Sequence, residues 1–158
     1  SIRFMMLNRS NDVELDFDFD KVLEKSKDNP VFYVQYCFAR ISSLFRTVKK
    51  DLNDDISLNE SEFSLNENET KIIRKIFEWP KIIEVASLKY EPHRIPYYLF
   101  DLATLFHSYW SKGNEDHSLK FINNGKIKNK ETLIIIVLTA VVIQRGMDIL
   151  GVSLPDKM

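Results

Sequence analysis

The sequence predicts an all-α protein, a bundle of five or six helices. Glycine and proline are rare, with 4 and 5 copies in 158 residues, which disfavours a turn-rich sandwich or barrel. Hydrophobic residues make up 44% of the chain and aromatic residues 12%, enough to build one domain-sized core. Long apolar segments alternate with polar stretches, and no segment repeats. We therefore expect helices packed around a common core.

The first part of the chain gives the weakest signals. Residues 1–9 resemble an apolar helix without a start signal, so we expect this piece to continue from an earlier domain. Residues 13–19 alternate apolar and acidic side chains, and this period of two is typical of a strand. An extended lead-in is the alternative, with Asp18 or Asp20 capping a short helix that ends near residue 27.

The later helices have clearer boundaries. Pro30 suits a first helical turn, so a long helix is predicted over residues 30–50. The polar stretch 51–68 is predicted as a surface connection. Further helices are predicted from 66 or 68 to 77, from 80 to 89, and from 92 or 96 to 111. A polar loop over residues 112–130 leads to a last helix over 130–149, where Gly151 provides the stop.

Composition excludes several kinds of protein. The single cysteine, Cys37, allows no internal disulfide and no zinc cluster, and we predict no metal site. The longest apolar run, residues 133–143, is interrupted by Thr139 and is too short to span a bilayer. No signal-peptide pattern opens the chain, so a cytoplasmic location is expected.

Charge gives only mild guidance about partners. The net charge is −1, but residues 1–70 carry 9 basic and 14 acidic side chains, whereas residues 71–158 carry 13 and 9. The second half therefore has a weak positive field. Nucleic acid binding on this chain would need shape and stacking as well as charge.

Candidate binding residues lie on the long helix and in two segments distant from it in sequence. These are the end of the helix predicted to reach residue 111 and the C-terminal tail. Tyr36 and Arg40 are four residues apart and share one helix face, with Gln35 beside them. A ring next to a guanidinium can stack on an unpaired base and contact its phosphate. A rim aromatic with a salt-bridge partner would give the same pattern. Tyr109 and Trp110 end the next long helix, where they are stacking platforms or a core pair.

Several segments, in order, resemble one family. The long helix resembles a family segment through its run Tyr33-Val34-Gln35-Tyr36-Cys37-Phe38-Ala39-Arg40, and residues 91–95, 101–110 and 146–158 add to the likeness. Together they closely resemble the C-terminal part of bacterial arginyl-tRNA synthetases. That part is the helical anticodon-binding domain named for its Asp-Ala-Leu-Arg motif. The resemblance favours the lead-in over the strand for residues 13–19.

The resemblance implies a division of the chain and a set of contacts. Residues 1–28 would be the tail of a catalytic domain and a lead-in, and residues 29–158 the anticodon-binding domain. The expected partners are the anticodon loop of an arginine tRNA and the catalytic domain of the same enzyme. The residues expected to bind tRNA are Gln35, Tyr36, Arg40, Tyr109, Trp110 and Met158. The family commonly has His where this chain has Phe38, so a polar contact made by that His is lost.

The resemblance also implies what this chain lacks. ATP with Mg²⁺ would serve the full enzyme, whereas this chain has no Gly-rich phosphate loop and none of the synthetase signature motifs. We expect it to have no catalytic residue and no cofactor, to be inactive alone and to be a monomer away from membranes. Two alternatives are a helical protein–protein interaction module and the anticodon-binding tail of another class I synthetase, such as the cysteinyl or methionyl enzyme.

Overall fold

The computed structural model describes residues 1–10, 19–24, 26, 28–48 and 64–158. The described residues form seven α-helices, one 3-10 turn and a two-stranded hairpin, so the all-α prediction is confirmed. Five of the helices have ten or more residues, and the two short ones lie near the N-terminus. The elements are α1 (Ile2–Leu7), α2 (Phe19–Leu23), α3 (Pro30–Val48), α4 (Glu67–Phe77), α5 (Trp79–Leu88), α6 (Arg94–Glu115), a 3-10 turn (His117–Leu119), β1 (Ile122–Asn123), β2 (Lys126–Ile127) and α7 (Lys130–Leu150).

Local capping chemistry accounts for the helix ends that the sequence predicted well. The Asn66 side chain accepts hydrogen bonds from the backbone N–H groups of Asn68 and Glu69, and Glu69 accepts one from the Asn66 N–H, which is a complete capping box. The Asn129 side chain caps α7 by accepting from the Thr132 N–H. Gly151 ends α7 in the left-handed conformation at φ 64°, as its lack of a side chain allows.

Two features of the predicted loop over residues 112–130 differ from expectation. Helix α6 continues to Glu115 through a buried Gly113, where an added Cβ atom would lie 3.3 Å from the Leu119 carbonyl oxygen. Beyond the 3-10 turn, β1 and β2 pair antiparallel. Asn124 and Gly125 join them with positive φ angles of 51° and 77°, a hairpin turn that this dipeptide favours.

Helices α6 and α7 form the centre of the core. Helix α6 packs against α3, α4, α5 and α7, and α7 packs against α3, α4 and α6. The two central helices approach closely at Gly146, where an added Cβ would lie 2.6 Å from a methyl carbon of Leu99. Since real Cβ atoms do not come that close, glycine sets the spacing of these helices.

Helix α7 is also the one helix among the described residues with the length and apolar composition to cross a membrane. The sequence expectation for residues 133–143 considered only the uninterrupted apolar run, and the helix that contains it is 21 residues long. In the fold this helix is a core element, with Ile135, Ile136, Ile143 and Met147 fully buried. Its apolar surface is therefore used for packing against α3, α4 and α6.

The N-terminal residues contribute to the same core. Phe4 of α1 is fully buried, and α1 packs against α3 and α7. Arg3 donates a hydrogen bond from Nη1 to the Gly151 carbonyl oxygen at 3.0 Å, which joins the two ends of the described fold. Helix α2 ends at Leu23, earlier than predicted. The alternating segment was defined as residues 13–19, and its residues 13–18 lie outside the described part of the chain.

Candidate functional site

Four of the predicted site residues surround one open cavity beside α3. Tyr36, Arg40, Trp110 and Met158 all line a cavity of about 480 Å³. They come from the middle of α3, the later part of α6 and the tail after α7. The prediction that these residues converge is confirmed for these four, while their role in binding stays a prediction. The other lining residues are Ala39, Ser43, Arg46 and Lys157.

The Arg40 guanidinium is held at the cavity by two aromatic rings. Its Cζ atom lies 4.4 Å from the Tyr36 ring centroid and 5.0 Å from the Trp110 ring centroid, both within the range of a cation–π contact. Arg40 Nη2 also donates a hydrogen bond to the Tyr36 hydroxyl at 3.1 Å. The half-buried Arg40 side chain is therefore oriented before any ligand arrives.

The tail reaches the cavity because two side chains of α3 hold its backbone. Gln35 donates from Nε2 to the Ser153 carbonyl oxygen at 2.9 Å, and Arg46 donates from Nη1 to the Asp156 carbonyl oxygen at 2.8 Å. Val152 is buried at the start of the tail. These contacts place Met158, which is 52% exposed, at the cavity rim. Gln35 thus lies under the tail and is not among the residues that line the cavity.

His107 is a member of this site that was not among the predicted binding residues. It is 5% exposed, and its ring packs 4.4 Å from the Tyr33 ring and 5.6 Å from the Tyr36 ring, centroid to centroid. Its Nδ1 atom lies 3.0 Å from Arg40 Nη1, and its Nε2 atom lies 3.2 Å from the Tyr33 carbonyl oxygen. Burial lowers the pKa of His107 to about 4. The bond to the Tyr33 carbonyl opposes this shift in part, and the Arg40 charge adds a smaller lowering effect.

Tyr109 lies away from the cavity, so the prediction that it shares this surface is wrong. It is 1% exposed, and its hydroxyl donates to Glu69 at 2.9 Å and accepts from the Asn66 side chain at 3.0 Å. Thr132 also donates to Glu69 at 3.2 Å. A buried polar cluster therefore takes Tyr109 into the core and joins α4, α6 and α7. The loss of hydration on burial raises the pKa of Tyr109 above its usual range.

Basic side chains near the cavity differ in how they are used. Arg46, exposed in the last turn of α3, holds the tail through the Asp156 carbonyl oxygen. Lys157 lines the cavity and is exposed. Lys49 and Lys50, which follow α3 in the sequence, lie outside the described residues.

Comparison with known families decides the classification. A sequence model of the DALR anticodon binding domain matches residues 34–158, which includes α3 from Val34 onward, α7 and the tail. The chain belongs to the DALR anticodon-binding domain family.

Relatives of this family member are longer than the chain. The arginine–tRNA ligase of Pelagibacter ubique is 56% identical over 156 residues, and that of Rhizobium meliloti is 43% identical over 167 residues. Each match covers 99% of this chain but only 27% and 28% of those proteins. The arginyl-tRNA synthetase structure from Thermus thermophilus has the same fold, with a TM-score of 0.74 and 22% identity over 99% of this chain and 26% of that one.

Proposed function

We propose that this chain is the anticodon-binding part of an arginine–tRNA ligase. The observation that carries the proposal is the cavity in which Arg40 is held between the Tyr36 and Trp110 rings, on a domain of an anticodon-binding family. Rings beside a fixed guanidinium are suited to an unpaired base, which stacks on aromatics and is recognised along its edge. The relatives named as arginine–tRNA ligases support the choice of tRNA.

The chemistry of Arg40 favours a cytosine. A guanidinium carries five N–H donors and no acceptor, and two of the five are used by Tyr36 and His107. Three donors remain for a ligand, as judged from the described residues. The Watson–Crick edge of cytosine has two adjacent acceptors, N3 and O2, whereas uracil has an N–H at position 3. All arginine codons have G in the middle position, so their anticodons share a middle C.

The test is a comparison of RNA hairpins that carry the anticodon stem and loop of an arginine tRNA. We expect the 158-residue chain to bind the hairpin with a middle C more tightly than one with a middle U, by roughly 1–3 kcal/mol, the scale of one well-recognised base. Fluorescence anisotropy titrations at fixed salt measure both dissociation constants. Equal binding of the two hairpins would contradict the proposal and favour the protein–protein interaction module.

The Arg40→Ala variant distinguishes recognition of the base from binding of a phosphate. If Arg40 recognises the base, the alanine variant loses the preference for C and keeps the salt dependence of binding. If Arg40 contacts a phosphate, the preference remains and the slope of log affinity against log salt decreases by about one contact. We expect the first result because two aromatic rings hold the guanidinium inside the cavity.

Trp110→Ala is expected to weaken hairpin binding by ~1–3 kcal/mol, the usual cost of losing one stacked base. Trp110→Phe should recover part of this loss because a ring remains. Phe77→Ala is the matched control, since Phe77 is a 77% exposed aromatic on α4 that does not line the cavity. Because Trp110 also packs against Phe106 and Phe121, each variant is checked by thermal unfolding, and binding is compared at a temperature where all are folded. Unchanged affinity in folded Trp110→Ala would remove Trp110 from the site.

The rest of the proposal concerns the longer protein. In it, regions outside this chain would bind ATP and Mg²⁺ and join arginine to the tRNA, while this domain supplies recognition. We assign residues 1–28 to the connection with the catalytic domain and residues 29–158 to the anticodon-binding domain. Such an enzyme acts in the cytoplasm, and we place it there as a monomer.

A further inference from the structure

His107 connects two points on α3 that are two helical turns apart. One ring nitrogen contacts the main chain of Tyr33, and the other contacts the side chain of Arg40. Seven residues along a helix correspond to ~10 Å, a distance that a single imidazole and an arginine side chain can bridge. The Tyr33 carbonyl is part of the helix backbone, so it is a fixed anchor for the ring.

The partners of His107 define its protonation. A guanidinium only donates hydrogen bonds, so His107 Nδ1 must accept from Arg40. A carbonyl oxygen only accepts, so His107 Nε2 must carry the proton and donate to Tyr33. Both bonds exist together only in the neutral ring with its proton on Nε2. Burial of the ring at 5% exposure agrees with the neutral form.

We propose that His107 is a positioning residue for Arg40: its Nδ1 atom is the acceptor that orients the Arg40 guanidinium toward the cavity, and the Nε2 bond to the Tyr33 carbonyl keeps the ring in the tautomer that leaves Nδ1 free to accept. This inference rests on the proposed function, because the aimed group is the one that recognises the base. Tyr36 supplies the second acceptor for Arg40. With two acceptors and two rings around it, the guanidinium presents its remaining donors in one orientation.

The alternative is that His107 only fills space between α3 and α6. Two substitutions separate the roles, because the side-chain amide of Asn reaches the position of Nδ1 and the longer Gln reaches that of Nε2. His107→Asn keeps an oxygen acceptor for Arg40 and loses the bond to Tyr33. His107→Gln keeps a donor for the Tyr33 carbonyl and loses the acceptor for Arg40. If His107 only fills space, the two variants should bind the hairpin with a middle C equally well. His107→Gln could even bind it better, because it keeps the bond to the backbone.

The binding arm uses the hairpins with a middle C and a middle U. We expect His107→Gln to weaken binding of the C hairpin roughly tenfold with little change for the U hairpin. His107→Asn should stay within about threefold of the parent chain, a spread below the effect of one lost hydrogen bond. In an Arg40→Ala background, His107→Gln should have no further effect, because the two residues act through one contact. A C preference that survives His107→Gln, or independent additive losses in the double variant, would overturn the inference.

A second arm needs no RNA, so it stays decisive if the proposed function fails. Nitrogen-15 NMR of the free chain reports which ring nitrogen of His107 carries the proton. It also reports whether rotation of the Arg40 guanidinium, which averages the Nη signals, is slowed. We expect the Nε2-protonated ring, and Arg40 Nη signals that are slowed in the parent and in His107→Asn but averaged in His107→Gln. A proton on Nδ1, or unchanged Arg40 signals in His107→Gln, would disprove the positioning role. If the parent chain shows no preference for the hairpin with a middle C, while the NMR signals are as expected, only the proposed function is disproved.

Discussion

Glu69→Ala is expected to lower the free energy of unfolding by about 3–5 kcal/mol, the largest effect of any single change considered for this protein. Glu69 is 2% exposed and accepts hydrogen bonds from the Asn66 backbone, Tyr109 and Thr132. Alanine removes every acceptor and leaves buried donors unpaired, at about 1–3 kcal/mol each. Small domains have only about 5–15 kcal/mol in total, so much of the stability would be lost.

The measurement is urea unfolding followed by circular dichroism. Glu67→Ala is the matched control on the same helical turn, since Glu67 is an exposed partner of Lys71 and such pairs contribute little. Tyr109→Phe tests the network from the other side and should cost less than Glu69→Ala, because it removes one hydroxyl. Similar midpoints for Glu69→Ala and Glu67→Ala would show that the buried cluster does not hold α4, α6 and α7 together.

Acidification is expected to destabilise the fold through His107 by about 3 kcal/mol between pH 6.5 and pH 4. The pKa of His107 is lowered to about 4 in the folded chain, against about 6.5 when unfolded. Between these values the unfolded chain binds more protons, so stability rises with pH in this window and is lost as pH falls. One pKa unit corresponds to 1.36 kcal/mol. Below pH 4 the contribution of His107 levels off.

The groups that face His107 support this assignment. Arg40 on α3 is the basic side chain beside the ring, and the Tyr33 and Tyr36 rings of the same helix pack against it. The check is the unfolding free energy of the parent chain and His107→Asn across pH 7 to pH 4. Carboxylates such as Glu91, whose pKa is lowered by Arg94, affect both proteins alike and cancel in the difference. Parallel pH curves for the two proteins would contradict the prediction.

The fold was predictable from sequence wherever local chemistry decides the structure. Pro30, Asn66 and Gly151 mark their helix ends through backbone and capping preferences of a few neighbouring residues. The end of α6 was missed because Gly113 suggested a loop, whereas it is helical and lies close to the backbone of residues 119–120, an approach that is not visible in local sequence. The Asn124-Gly125 pair is a local signal for a hairpin turn, so the hairpin was predictable even though residues 112–130 were predicted only as a polar loop.

The site was predictable in part for the same reason. Tyr36 and Arg40 share a helix face by spacing alone. Tyr109 and Trp110 are consecutive aromatics with opposite surroundings, and their own residue types do not tell which one faces the core. The buried Glu69 decides it by accepting from Tyr109. His107 joins the site through Tyr33 and Arg40, residues 74 and 67 positions away, a pairing that appears only after the helices have packed.

The central place of α7 has a consequence for synthesis of the protein. The ribosome makes α3, α4 and α6 before α7, yet all three pack against α7. Domains fold as units during translation once their elements are available, so the apolar faces of the earlier helices must wait for the segment that covers them. The tail that completes the cavity is made after α7. The domain therefore acquires its core and its candidate binding site late and close together, and a nascent chain stopped before α7 would expose apolar surface and have no formed cavity.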